Sequence, residues 1–148
     1  MLHRKVQCWI FSEGPEPFRL GASDAMVLLL QTNQARGEFW QPVTGTVEAN
    51  EGFFEAACRE PFEETGFIFN SPPADTGYEF DFVSRVGQTR ERVFALTVED
   101  HPNPRIDPKE HQDFQWVPPS QALSLLRFPS NLEGLKRSYR LVFGKDLP

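Results

Sequence analysis

Apolar and polar positions fall into blocks whose spacing predicts the elements of the chain. Residues 5–11 (KVQCWIF) form an apolar, aromatic run of strand length. Residues 12–24, with Gly14, Pro15, Pro17 and Gly21, read as a loop. Residues 25–31 (AMVLLLQ) are apolar almost throughout, the pattern of a central strand buried on both faces. A polar turn over 32–38 leads to a short strand at 39–43, which runs into Thr44 and Gly45. From about Gly52 to Glu64 the period changes to that of a helix, and Gly66 stands where a C-capping glycine belongs. Tyr78, Phe80 and Phe82 alternate with Glu79 and Asp81, which predicts a half-buried strand over 78–86. A turn at 87–91 and a returning strand at 92–98 complete a hairpin. Residues 100–109 carry three prolines and read as an extended loop, followed by a strand at 114–117. Helices are expected at 118–126, with proline in the first turn, and at about 131–143, ending at Gly144. Strands, one helix, strands and terminal helices together predict a mixed sheet with helices packed on it, of α/β (α+β) class.

The predicted central helix carries the chemistry. Glu60, Glu63 and Glu64 stand at i, i+3 and i+4 and share one face, while Phe54, Ala57, Cys58 and Pro61 fall on another with the spacing of a core-facing stripe. Carboxylates stacked so closely repel one another, and a hard divalent cation such as Mg²⁺ or Mn²⁺ is the natural compensation. A merely solvated acidic face is the other outcome of such a run. Pro61 lies inside the helix, where it removes a backbone hydrogen bond at a cost of about 3 kcal/mol and favours a kink.

The surrounding frame separates these alternatives. Gly45, Glu51, Arg59, Glu60, Glu63, Glu64, Gly66 and Phe67 satisfy G-x5-E-x7-R-E-x-x-E-E-x-G-hydrophobic, which resembles the signature of the Nudix hydrolases. Pro61 replaces an aliphatic residue usual in that pattern. The resemblance implies an α/β/α sandwich with a loop–helix–loop catalytic motif beside the sheet. It also implies cleavage of a phosphoanhydride with Mg²⁺, Mn²⁺ being a possible substitute. Glu60, Glu63, Glu64 and Glu110 are the metal ligands it implies, Glu110 being a ligand or the general base. Arg59 is expected to pair with Glu51 and hold loop to helix, with contact to a substrate phosphate as the alternative. Gly45 is expected to let the loop turn tightly and bring backbone near phosphate.

Residues 39–48, Glu110-His111 before 114–117, and Ser130-Asn131 resemble the bacterial dihydroneopterin triphosphate pyrophosphatases within that family. The implied substrate is a nucleoside or pterin triphosphate, cleaved to the monophosphate and pyrophosphate. Other linked diphosphates, or nucleotide binding without cleavage, are the alternatives. Where that group tends to carry basic residues after the second strand, this chain has Gln31-Thr32-Asn33-Gln34 and its nearest arginine is Arg36, so a phosphate contact is either lost or supplied by Arg4 or Lys5. Thr44 is a further substrate candidate, and Trp40, Phe82 or Phe94 could stack on a ring. His111, a lone loop histidine, is expected to face solvent.

Composition limits the remaining possibilities. A chain of 148 residues is expected to form one domain over 1–148. Its net charge of −6 argues against an extended nucleic-acid partner and leaves a compact phosphorylated molecule. Cys8 and Cys58 are expected as buried thiols. The sequence has no stretch that could span a membrane and no secretory signal at its start, so a cytoplasmic location is expected, while the family resemblance implies a monomer or homodimer.

Overall fold

The computed structural model describes residues 1–12 and 25–148, so most of the loop predicted over 12–24 lies outside the described residues. The elements in chain order are β1 (His3–Ser12), β2 (Met26–Thr32), β3 (Trp40–Gln41), β4 (Val43–Thr46), α1 (Phe53–Thr65), β5 (Ala74–Ser84), β6 (Gly87–Val98), β7 (His111–Val117), α2 (Pro119–Leu125) and α3 (Pro129–Phe143). Seven strands form one sheet in the order β3-β2-β1-β6-β5, with β4 paired to β1 and β7 to β2. Only β1 and β6 run parallel. The sheet is therefore mixed, as expected.

Alternation along the strands sends side chains to two cores. Val6, Cys8, Ile10, Phe94 and Leu96 pack with Ala56 and Ala57 of α1. Trp9, Phe11, Val93 and Ala95 pack with Ala122 of α2 and with Leu135 and Tyr139 of α3. The sandwich has α1 on one face and α2 with α3 on the other. β2 is buried along nearly its whole length, as its apolar run predicted.

One detail of topology creates the site. Among the described residues β1 and β2 share two register pairs, Phe11 with Val27 and Ser12 with Met26. Where they part, β4 takes over the free edge of β1 (Lys5 to Cys8), and β3 pairs with β2 at Leu30 and Gln31. The segment carrying Gln41, Thr44 and Gly45 thus fills the opening between the two central strands.

The inner stripe of α1 differs from the expected one. Ala56, Ala57, Pro61 and Thr65 are buried and Phe53 packs on the core, whereas Phe54 is 48% exposed and Cys58 is exposed. Alanines at 56 and 57 let the helix lie close to the sheet, and Glu60 and Glu64 continue this stripe toward the sheet opening instead of occupying a separate face. The helix persists through Pro61 for another turn, where the Thr65 hydroxyl donates to the Pro61 carbonyl (2.6 Å). Gly66 closes it in the left-handed conformation (φ 78°), donating to the Phe62 carbonyl.

The hairpin is also shifted from its expected position. Its turn lies at 84–87, and residues 87–91 belong to β6. Ser84 pairs with Gly87, whose φ of 121° is open to glycine, and the Ser84 hydroxyl accepts the Val86 amide. No helix among the described residues is long and apolar enough to cross a membrane.

Candidate functional site

A polar cavity of about 360 Å³ opens beside α1, lined by Glu60, Glu63 and Glu64 of the helix and by Glu110 from the loop before β7. Lys5, Arg36, Thr44 and Gly45 line it as well. The signature helix and the distant Glu110 therefore meet, as expected.

Glu64 is the most constrained of the acids. Its Oε2 is buried and has no hydrogen-bond partner. Burial, followed by the charges of Glu110 and Glu60, pushes its carboxyl up to about 8. Burial also raises Glu60, against the opposing pull of Arg59. Beneath them, burial and then Glu64 push the Cys8 thiol well above its ordinary range, which leaves a poor nucleophile.

Arg59 gathers the signature loop onto the helix. It donates to both carboxylate oxygens of Glu51, to Glu60 (2.8 Å), to Glu63 (3.1 Å) and to the Thr46 carbonyl (2.9 Å). The bonds from Arg59, then the Glu48 amide, hold the Glu51 carboxyl below its usual range. The Glu51–Arg59 pair is present as expected, and Arg59 is saturated by protein acceptors. Arg59→Ala should lower stability by about 2 kcal/mol, because it strips partners from the largely buried Glu51 and Glu60. Calorimetry decides this: an unchanged melting temperature would mean the clamp contributes nothing to the fold.

Gly45 has a reason other than a tight turn. It lies in β4, and a Cβ there would sit 2.0 Å from Glu60 Cδ and 2.2 Å from its Oε2. The glycine makes room for the carboxylate.

The departure at 31–34 also has a structural use. The Asn33 side chain donates to the Lys109 carbonyl (2.6 Å), and its backbone amide donates to the Glu110 carbonyl (3.1 Å). Polar residues after β2 therefore tie down the loop that presents Glu110. Arg36 stands 3.7 Å from the Glu110 carboxylate and supplies positive charge with Lys5. Arg4 does not line the cavity: its guanidinium is spent on the carbonyls of Glu48 and Glu51 and lies over the Phe53 ring.

His111 is buried, contrary to expectation, because it opens β7. Burial, then Arg36, lowers its pKa to about 4, so the neutral ring accepts from Gln41 Nε2 (3.1 Å). Cys58, expected to be buried, is exposed on the outer side of α1.

A second cavity of about 540 Å³ adjoins the first, and Lys5, Gln41 and Thr44 line both. Its walls are Phe39, Phe80, Phe82 and Phe128, with Asp81, Glu91, Ser130 and Asn131 as further polar members. Phe39 meets Phe128 edge to face at 5.1 Å. Of the stacking candidates only Phe82 is here. Trp40 packs on the core beneath α2 and α3, and Phe94 is core on the α1 side. Phe39, Phe80, Phe128, Asn131 and Glu91 line this cavity and were not among the expected substrate residues. Starting β6 at Gly87 would have exposed the signal, since Thr89, Glu91, Val93 and Ala95 then alternate inward.

The oxygen-only donors of Glu60, Glu63, Glu64 and Glu110 suit a hard divalent cation, and the unpartnered Glu64 oxygen is a position such an ion would satisfy. Among the described residues no three His, Cys, Asp or Glu side chains close into a complete ligand set. Arg59 draws Glu60 and Glu63 toward itself.

The sequence profile of the NUDIX domain matches residues 1–139. An octanoyltransferase of Myxococcus xanthus is 36% identical over 121 residues, covering 78% of this chain, which spans only 32% of that relative's length. A dihydroneopterin triphosphate diphosphatase of Haemophilus influenzae is 29% identical over 124 residues, covering 75% of this chain and 77% of the relative. A dihydroneopterin triphosphate pyrophosphohydrolase of E. coli superposes with a TM-score of 0.74 at 22% identity, over 96% of both chains. An Ap4A hydrolase of C. elegans superposes at 0.75 with 17% identity, over 97% of this chain and 99% of that one. These superpositions establish the sandwich as the shared fold.

Proposed function

The chain belongs to the NUDIX family, and from that premise we propose that it hydrolyses a phosphoanhydride of a nucleoside or pterin triphosphate to the monophosphate and pyrophosphate. Residues 1–148 act as one catalytic unit in this proposal. The observation that carries it is the buried, unpartnered Glu64 oxygen in a cavity joined to an aromatic one through Lys5, Gln41 and Thr44. A ring on one side and a polyphosphate on the other match that pair of cavities. The Haemophilus relative supports the same substrate class.

Glu60 and Glu64 would hold Mg²⁺ or Mn²⁺, which when bound neutralises phosphate oxygens and acidifies an attacking water. The chain's own groups have separate tasks. Lys5 and Arg36 bind phosphate oxygens, and Thr44 with the β4 backbone orients the polyphosphate at the sheet opening. Glu110, half exposed in the same cavity, takes the proton as water oxygen bonds to phosphorus and the bridging P–O bond to pyrophosphate breaks. Arg59 and Gly45 fix Glu60 where it is needed, and Glu51 fixes Arg59.

The test is pyrophosphate release with Mg²⁺ and with EDTA. Its panel holds dihydroneopterin triphosphate, the four dNTPs, a nucleotide sugar and diadenosine polyphosphates. Metal-dependent release from a triphosphate is expected. Turnover confined to a nucleotide sugar or a dinucleotide would move the substrate class. A folded chain inert toward all of them would favour nucleotide binding without cleavage.

A further inference from the structure

We propose that Glu91 reads the substrate ring and selects one with two adjacent N–H donors beside a carbonyl, the 2-amino-4-oxopyrimidine edge shared by guanine and pterins. This role presupposes the triphosphate hydrolase proposed above and names its ring.

Glu91 is 5% exposed and stands on β6, paired in register with Lys5 of β1 and Phe80 of β5. It is a buried carboxyl in a cavity that Phe39, Phe80, Phe82 and Phe128 also line. Burial of this kind is unfavourable for a carboxylate and raises its pKa, so such a group persists only with partners. The Lys5 charge offsets part of this cost, and one hydrogen-bond partner is visible among the described residues. Gln7 Nε2 donates to Glu91 Oε2 at 2.7 Å.

The orientation of Gln7 is dictated from behind. Trp9 Nε1 is a donor only, and it donates to Gln7 Oε1 at 2.7 Å. The amide oxygen must therefore face the indole and the amide nitrogen must face Glu91. Helix α3 presses this chain of groups into place through Gly134, where a Cβ would lie 2.0 Å from Gln7 Oε1 and 3.0 Å from Trp9 Nε1. Glu91 is thus held as an acceptor. Its Oε1 receives no donor from any described residue, and Oε2 keeps a second lone pair. A ring presenting two neighbouring N–H groups satisfies both oxygens.

Asn131 completes the pattern. It is buried on α3 in the same cavity, and its side-chain amide has no hydrogen bond among the described residues. It can donate to the ring carbonyl. Carbonyl, N–H and NH₂ then meet an amide donor and two carboxylate acceptors. Adenine would place a ring-nitrogen lone pair against the carboxylate, which repels it.

The alternative is that Glu91 serves only to hold Gln7, in which case ring selectivity would not depend on it. Calorimetric titration of guanosine, inosine and adenosine monophosphates into the wild-type chain and Glu91→Gln separates the two. Glutamine keeps the shape and can still accept from Gln7, but it presents a donor to the cavity. Wild type should bind the guanosine nucleotide about tenfold more tightly than the others, and E91Q should reduce this to within about twofold. For dihydroneopterin triphosphate, E91Q should raise KM about tenfold with little change in kcat. Equal wild-type binding of the three nucleotides, or an E91Q that keeps the preference, overturns the assignment. Should E91Q not fold, Glu91→Asp decides: the shortened carboxylate should lose most of the guanosine preference, and a variant that keeps it overturns the assignment. Guanosine preference without any triphosphate turnover would remove the hydrolase and leave the ring selectivity. Turnover without preference would do the reverse.

Discussion

Glu64→Gln is expected to lower kcat by about three orders of magnitude while the chain stays folded. Glutamine has the volume of glutamate but neither its charge nor its second acceptor oxygen. Glu64 has one oxygen buried without a partner and a carboxyl pushed up to about 8 by burial and by Glu110 and Glu60. A neutral amide relieves that electrostatic load, so the melting temperature of the metal-free protein should hold or rise. Loss of turnover with stability retained is the mark of a group kept for chemistry. Steady-state kinetics beside calorimetry reads both quantities. A variant within tenfold of wild-type kcat would remove Glu64 from the reaction, and one that unfolds would make it a structural residue.

The second large effect is expected at Gly45→Ala. The new methyl would overlap Glu60 Cδ, Cγ and Oε2. These atoms belong to the end of a flexible side chain, so the fold can yield by swinging Glu60 aside, at about 1 kcal/mol. Catalysis has no such freedom. A displacement of about 1 Å in a ligand or positioning group costs on the order of a hundredfold. Gly45→Ala should therefore lose about a hundredfold in kcat/KM with a small fall in melting temperature. If activity were unchanged, Glu60 would have no fixed place in the reaction.

What could be read beforehand depended on how local the cause was. The frame from Gly45 to Phe67 was legible as fixed residue types at fixed spacing, and some of its residues answer to neighbours within it. Arg59 meets Glu51, and Gly66 ends the helix. The inner stripe of α1 was misread because amphipathic periodicity assumes a purely apolar buried face, and this helix buries Glu60 and Glu64 along that face. Residues 87–91 looked like a turn because they are polar. In the sheet, Arg90 forms a paired bond with Asp81 across the hairpin, and Glu91 turns inward to Gln7. Neither partner is visible in local pattern. The aromatic cavity was hidden for the same reason: Phe39 and Phe128 meet only after α3 docks on the sheet. Gly45 was identified as a site residue, but its neighbour Glu60 comes from another element, so the cause was out of reach.

The parting of β1 and β2 has a consequence for how such a molecule can change. Glu60, Glu63 and Glu64 sit on α1 and the aromatic cavity reaches α3, and among the described residues Lys5, Gln41 and Thr44 line both. Substitutions at Phe80, Phe82, Phe128 or Asn131 would reshape the aromatic cavity without touching Glu60, Glu63 or Glu64. The scaffold is therefore modular across its own sheet: new specificities can be acquired by drift on one side while the bond-breaking side is inherited intact.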